Sequence, residues 1–444
     1  MERKILKKLS LWKDSPDRKP LILLGARQVG KTWALHEFGK TAFSTAHYFD
    51  FSERNNTLSG IFKKSLDPMK IIQDLEIFLE KRINLKEDLI VFDEVQDEPL
   101  ALKSLKYFNE KMPEAYLVCA GSLLGVGLSN ESFPVGRVDY LNMYPMAFDE
   151  FLKETTGDFL YKQYEHSIKT RETSAVLHEK LMEYLRDYWI TGGFPAAVKV
   201  YSASRQNRYK AFQAARYIQN NLFKDYQNDF SKHAGKLNSN HIRMVFENIP
   251  TQLAANIDDS VSRYIFKDII PGKKGFTAVE GPISWLKQAG LIYKVPICNH
   301  SALPLKAFTK SNIFKIHLLD IGLLGAILEL SPKTIIENNY GTAKGYFTES
   351  FVMGEFAKSM NSQVFGWTER NSEIEFLTTF DDKIVPIEVK SGSRTKAKSL
   401  AQYVIKYNPE LVFKLMDTPL EPFKKGTVWN IPLYFAGRLK DLIT

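Results

Sequence analysis

The chain has 444 residues, of which 44% are hydrophobic and 25% charged, with a formal net charge of +9. These values exclude a disordered or fibrous chain and leave room for about two to three domains. The excess of basic residues favours an acidic partner such as nucleic acid, or else marks a solvated surface with no such role.

Two cysteines, Cys119 and Cys298, make neither a disulfide framework nor a zinc site, and Cys119 sits in an apolar run as a buried thiol would. The first residues, Met1-Glu-Arg-Lys-Ile-Leu, lack the apolar stretch of a signal peptide. No run approaches the length of a membrane span. The expected location is the cytoplasm, without processing and without membrane contact.

Up to about residue 155, short apolar runs alternate with helical patterns. The runs begin at Leu21, His47, Leu89, Ala115 and Val138, and they lack polar alternation, as strands buried on both faces do. Strands separated by helices predict βαβ units and a parallel sheet. Residues 156–335 have mostly helical spacing, as in Leu177–Trp189 and Arg205–Phe223. Thr191-Gly-Gly-Phe-Pro195 interrupts them, as a hinge or as a turn between packed helices. A helix face at Ile242, Val245, Phe246 and Ile249 is expected to stop before Pro250. Another, at Val279, Ile283 and Leu286, has Gly290 at its end and the strand-like Leu291–Val295 after it, the order of a winged helix-turn-helix. Residues 336–444 predict a small α/β domain: a helix from Thr348, two strands, and a helix from Ala397.

Gly25-Ala26-Arg27-Gln28-Val29-Gly30-Lys31-Thr32 matches G-x-x-x-x-G-K-[ST], with a buried strand before it and a helical pattern after it. Glycines let main-chain amides turn toward phosphate oxygens, and the helix N-terminus adds free donors. Lys31 would reach the β- and γ-phosphates of ATP, and Thr32 would hold Mg²⁺. The apolar run at Leu89 ends in Asp93-Glu94, placing two acids at the carboxyl edge of the sheet. Asp93 would bind Mg²⁺ through water, and Glu94 would polarise the attacking water. Ser122 follows the next strand, as a γ-phosphate sensor or a turn residue. Arg137 would stabilise transition-state charge, in cis or on a neighbouring subunit's ATP, the latter requiring an oligomer, or else form a surface ion pair.

Together with Phe92-Asp-Glu-Val-Gln96, Ala120-Gly-Ser122, Gly136-Arg137 and Tyr144–Phe151, the glycine-rich motif resembles the prokaryotic AAA-type ATPases that carry a C-terminal domain of unknown function 4143. Thr191–Pro195 and Lys315–Gly322 are similar to signatures of that C-terminal region. The resemblance implies an α/β protein with a P-loop ATPase domain at 1–155, a helical, winged-helix-like region at 156–335 and a restriction-endonuclease-like domain at 336–444.

Val385-Pro-Ile-Glu388-Val-Lys390 has the Glu-x-Lys spacing of restriction-endonuclease-like folds, and strand alternation puts Glu388 and Lys390 on one face. A hairpin with Glu373-Ile-Glu375 would bring Glu375 to Glu388, so that both bind Mg²⁺ while Lys390 orients or deprotonates a water. Glu349 lies on an apolar helix face, where it needs a partner or a metal, or is a first-turn glutamate favoured by the helix dipole. The family usually has aspartate where Glu375 stands; the nuclease, a degenerate nucleic-acid-binding module and a structural domain all remain open.

Arg205, Arg208, Lys210, Arg216, Lys224, Lys232, Lys236 and Arg243, interleaved with Tyr209, Phe212, Tyr217, Phe223 and Tyr226, form a run able to track DNA phosphates, or a solvated helix face over core aromatics. The sequence therefore points to a Mg-dependent ATPase acting on or near nucleic acid. The alternative is a nucleotide-gated adaptor that binds proteins and performs no nucleic-acid chemistry.

Overall fold

The computed structural model describes residues 1–52, 56–121, 136–233, 236–254, 263–337, 341, 343–360, 362–390, 398–421 and 426–443. The chain divides into two compact units, Met1–Pro145 with Gln288–Gly290, and Met146–Lys287 with Leu291–Thr444.

The first unit is built on five strands: β1 (Leu21–Leu24), β2 (Thr45–Asp50), β3 (Asp88–Asp93), β4 (Tyr116–Ala120) and β5 (Asp139–Asn142). They pair in the order β2-β3-β4-β1-β5, and every pairing is parallel. β3 is buried along its whole length, which explains its unbroken apolar run. Phe92 in β3 meets Phe49, Phe51, Phe62 and Phe108 edge to face, with centroids 5.5–6.5 Å apart. Because the strands are parallel, the carboxyl ends of β1 and β3 lie on one edge, with β4 between them. Helix Lys31–Ala42 leaves that edge after β1, packed close to β2: a Cβ on Gly39 would lie 2.6 Å from that of Ala46.

In the second unit, helices fill most of Phe148–Ala254, and a mixed sheet follows. Its strands are β6 (Ile292–Cys298), β7 (Thr309–Leu318), β8 (Phe365–Glu369), β9 (Ser372–Phe380), β10 (Lys383–Val389), β11 (Val412–Met416) and β12 (Val428–Pro432). The order is β12-β11-β10-β9-β8-β6-β7. β9 and β10 form the expected antiparallel hairpin, whereas β10, β11 and β12 run parallel. Helix Ala343–Ser359 packs against β6, β7 and β10.

Three expectations about the second unit are corrected. The strand expected as a wing is β6, which pairs with β7 and β8 inside the seven-stranded sheet, so the sheet draws strands from both sides of residue 335. Its Ile292, Val295, Ile297 and Cys298 are buried, and a solvent-facing wing would strand that apolar surface. The helix carrying Ile249 does not stop before Pro250 but continues to Ala254, burial of Val245, Phe246 and Ile249 offsetting the roughly 3 kcal/mol cost of an interior proline. The helix expected from Thr348 begins at Ala343; the Thr348 hydroxyl donates to Lys344 O one turn back at 2.9 Å, an interior bond and not a cap. Glu349 therefore lies beyond the first turn, and the helix-dipole explanation for it falls.

Among the described residues, no helix is long and apolar enough to cross a membrane.

Candidate nucleotide site and a buried acid–lysine cluster

The loop after β1 has the backbone its glycines require. Gly25, Gln28 and Gly30 have φ of 154°, 63° and 96°. A Cβ on Gly25 would lie 2.3 Å from Met143 O, so no side chain is tolerated there. Ala26 and Val29 turn inward and are buried, anchoring the loop. Gly30 caps the helix Lys31–Ala42, and its carbonyl accepts from Ala34 N at 2.9 Å. Arg3, buried, donates to Val29 O at 3.0 Å and to Tyr144 O at 2.8 Å, bracing the loop from behind.

Lys31 Nζ donates to Gly25 O and Ala26 O, each at 2.9 Å, which folds the ammonium back over the loop. Burial pushes its pKa down to about 8, against the charges of Glu94 and Asp93. The Thr32 hydroxyl donates to Asp93 Oδ2 at 2.8 Å. Burial raises the Asp93 carboxyl above its ordinary range, while the Thr32 and Glu94 hydrogen bonds oppose the rise. Glu94 N donates to Asp93 Oδ1 at 2.9 Å, and Glu94 Oε2 accepts from Gln96 Nε2 at 2.5 Å. Glu94 has φ 48°, a left-handed residue immediately after β3. Paired oxygens from Thr32 and Asp93 beside a cationic, amide-rich loop suit Mg²⁺ and a polyphosphate.

Ser122 lies outside the described residues. Arg137 is half-exposed, with Nη2 3.4 Å from Glu110 Oε1. Cys119 is buried in β4, where desolvation holds its thiol well above the ordinary range.

The basic run divides. Arg205, Lys210, Lys224 and Arg243 are exposed, as are Tyr209 and Tyr217. Arg208 instead pairs with Glu183 at 3.0 Å and with buried Asp187. Arg216 donates to Gly322 O at 3.0 Å and Leu330 O at 3.1 Å, which corrects its assignment to phosphate tracking. Phe212 and Tyr226 belong to the core, while the side chains of Lys232 and Lys236 lie outside the description.

Thr191–Pro195 is a turn between packed helices. Gly192 has φ 69°, and a Cβ there would lie 2.2 Å from Asp320 Oδ1. Asp320 accepts from Gly193 N at 2.7 Å and from Leu323 N at 2.9 Å, while Gln219 Nε2 donates to Ile190 O and Thr191 O. The two looser motifs, Thr191–Pro195 and Lys315–Gly322, thus meet in one tied corner.

The C-terminal glutamates come together, but with lysines among them. β9–β10 pairing brings Glu375 beside Glu388, and Glu375 Oε2 accepts from Val389 N at 3.0 Å. Lys390 pairs with Glu388 and lies 3.6 Å from Glu375 Oε1. Lys315, on β7 and 1% exposed, lies 2.9 Å from Glu349 Oε2 and 2.5 Å from Glu373 Oε1. Burial lifts Glu375 to about 8, with the Glu388 charge adding to it, and lifts Glu349 to about 7. Burial alone would lower Lys390, but Glu375 and Glu388 hold it above the usual lysine range.

Among the described residues, no group of three or more His, Cys, Asp or Glu is arranged to hold a metal ion. Glu349, Glu375 and Glu388 instead lie against lysine ammoniums, Glu349 against Lys315 and the other two against Lys390. Lys315, Glu373 and Arg3 take roles here that no motif in the sequence marks. The available signal for Lys315 was a cation inside the apolar strand Ile313-Phe-Lys-Ile-His-Leu, where burial demands counter-charge.

The parallel sheet, the loop after β1 and the acids ending β3 define a P-loop NTPase-like unit. In agreement, residues 17–152 match the family model of an AAA domain, 182–334 match a domain of unknown function (DUF8612) and 344–434 match a domain of unknown function (DUF4143). The chain thus carries an AAA domain toward its N-terminal end and a domain of unknown function 4143 toward its C-terminal end. No curated protein matches it.

Among solved structures it is similar to C. elegans PCH-2 at 12% identity and TM-score 0.28, covering 48% of this chain and 67% of that one. It is similar to the Aeropyrum pernix ORC1 protein, solved in complex with DNA, at 16% identity and TM-score 0.28, covering 74% and 91%. For the STAND protein PH0952 from Pyrococcus horikoshii, the values are 13%, 0.27, 81% and 46%. Likenesses of this size carry no argument about function.

Proposed function

We propose that the first unit binds Mg-ATP and hydrolyses it. The observation that carries this reading is the joining of Thr32 at the end of the glycine loop to Asp93 at the end of β3, beside Lys31. On binding, the triphosphate charge would draw Lys31 Nζ from the Gly25 and Ala26 carbonyls and restore its proton affinity. Main-chain amides of Gly25–Lys31 would hold phosphate oxygens. Thr32 and Asp93 would hold Mg²⁺, which neutralises phosphate charge when bound. Glu94, which follows Asp93 with a left-handed backbone, would orient and deprotonate the attacking water. Arg137 would act on a neighbouring copy's nucleotide after leaving Glu110, which makes a homo-oligomer part of this proposal.

We infer further that the hydrolysis serves work on nucleic acid. The support is the exposed set Arg205, Lys210, Lys224 and Arg243 with Tyr209 and Tyr217, on a chain of net charge +9. The internal use of Arg208 and Arg216 favours the second reading, an adaptor switched by ATP.

Phosphate release is measured with Mg²⁺, with and without single- and double-stranded DNA. Hydrolysis should vanish in Lys31→Ala and in Glu94→Gln, the latter retaining ATP. Full turnover by Lys31→Ala would end the ATPase reading. Unchanged turnover and no DNA retardation at low salt would leave the adaptor.

A further inference from the structure

Buried charges need partners, and a carboxylate cluster without one must take up protons or a cation. Glu349, Glu373, Glu375 and Glu388 gather from helix Ala343–Ser359, β9 and β10. Lys315 enters from β7, and its side chain is 2% exposed. Its ammonium contacts Glu349 and Glu373 at once, two carboxylates on different elements. Lys390 serves Glu375 and Glu388 from the other side, and its side chain is 26% exposed. One cation is therefore sealed inside and one stands nearer the surface. A lysine held by the fold needs no dehydration at each binding event, whereas a divalent ion gives up water for every protein oxygen it takes.

A second observation points to a latent coordination position. Glu388 is 1% exposed, its Oε2 receives no donor among the described residues, and its carboxyl shares a side-chain hydrogen bond with that of Glu375. Glu388 Oε1 is already engaged by Lys390. An unengaged carboxylate oxygen at such depth is an acceptor that a small hard cation would fill.

We propose that Lys315 Nζ is the resident cation of this cluster, so that the native C-terminal unit takes up no divalent ion there, and that removing this ammonium creates a metal site. The proposal stands independently of the ATPase reading. With Lys315 replaced by an uncharged side chain of similar length, the four carboxylates lose their innermost counter-charge. Mn²⁺, a hard ion that prefers oxygen ligands, would then enter.

The test is Mn²⁺ binding to the full chain without nucleotide, with free ion counted by its paramagnetic resonance signal. Wild type and Glu388→Gln should bind the same amount. A wild-type site that disappears in Glu388→Gln overturns the proposal, and this arm needs no change at Lys315. Lys315→Met should gain one Mn²⁺ per chain, and Lys315→Met with Glu349→Gln should lose it again. A folded Lys315→Met protein, judged by its thermal transition, that gains no Mn²⁺ also overturns it.

Discussion

The Thr32 hydroxyl donates to Asp93 Oδ2 at 2.8 Å, across 61 residues of chain. The bond joins the start of one helix to the end of a strand two places away in the sheet. Replacing Thr32 by valine keeps the shape and removes the oxygen. ATP binding in the presence of a chelator should be little changed. The gain in affinity on adding Mg²⁺ should disappear, and hydrolysis should fall by about 100-fold or more, in the range of other single polar groups that act on the transition state. Equal Mg²⁺ enhancement in both proteins would remove Thr32 from the metal's surroundings.

Arg3 acts on the nucleotide loop through Val29 O and Tyr144 O. Arg3→Met should keep much of the apolar packing while freeing the loop. The expected result is ATP affinity weaker by roughly tenfold, about 1.4 kcal/mol, with chemistry at saturating ATP less affected. Titration calorimetry alongside steady-state kinetics separates the two effects. A loss confined to turnover would mean that Arg3 does not act by positioning the loop.

Asp320 ties two motifs that lie far apart in sequence. Asp320→Ala would strand the amides of Gly193 and Leu323, each costing about 1–3 kcal/mol when buried and unmet. Denaturant unfolding of the second unit should shift accordingly. Since Asp320 serves the corner rather than the chemistry, Mg-ATP affinity in the folded variant should stay within about twofold. A stable but ATP-deficient variant would contradict this assignment.

His317 is fully buried, with Nδ1 3.0 Å from the Ser350 hydroxyl. Burial, helped by the Lys315 charge, depresses its pKa from 6.5 to about 3. The unfolded chain takes up this proton near pH 6.5 while the folded chain does not, so the contribution to stability is present above pH 6.5 and is lost as pH falls toward 3. The slope is at most about 1.4 kcal/mol per pH unit. Denaturation midpoints for wild type and His317→Asn between pH 7 and 4 should converge as acid is added. Parallel curves would show that His317 does not titrate in this way.

Much of the first unit was legible in the sequence because its signals are local. The strands at Leu21, Leu89 and Tyr116 are unbroken apolar runs, and the Gly25–Thr32 loop carries its backbone requirements in its own spacing. Pro250 misled because helix-breaking is a local tendency, whereas the burial that overrides it comes from distant chain. Lys315 shows no local sign of its task because its partners, Glu349 and Glu373, lie 34 and 58 positions further on.

By itself, then, the sequence determined the alternating strand–helix order of the first unit, the phosphate-type loop and the acids that end β3, since periodicity and spacing are properties of neighbouring residues. Tertiary structure alone decided that β6 and β7 join a seven-stranded sheet, that Arg216 bonds internal carbonyls, and that lysine ammoniums sit among the C-terminal glutamates. Those outcomes depend on which groups lose water together, and desolvation is set by the whole surrounding fold.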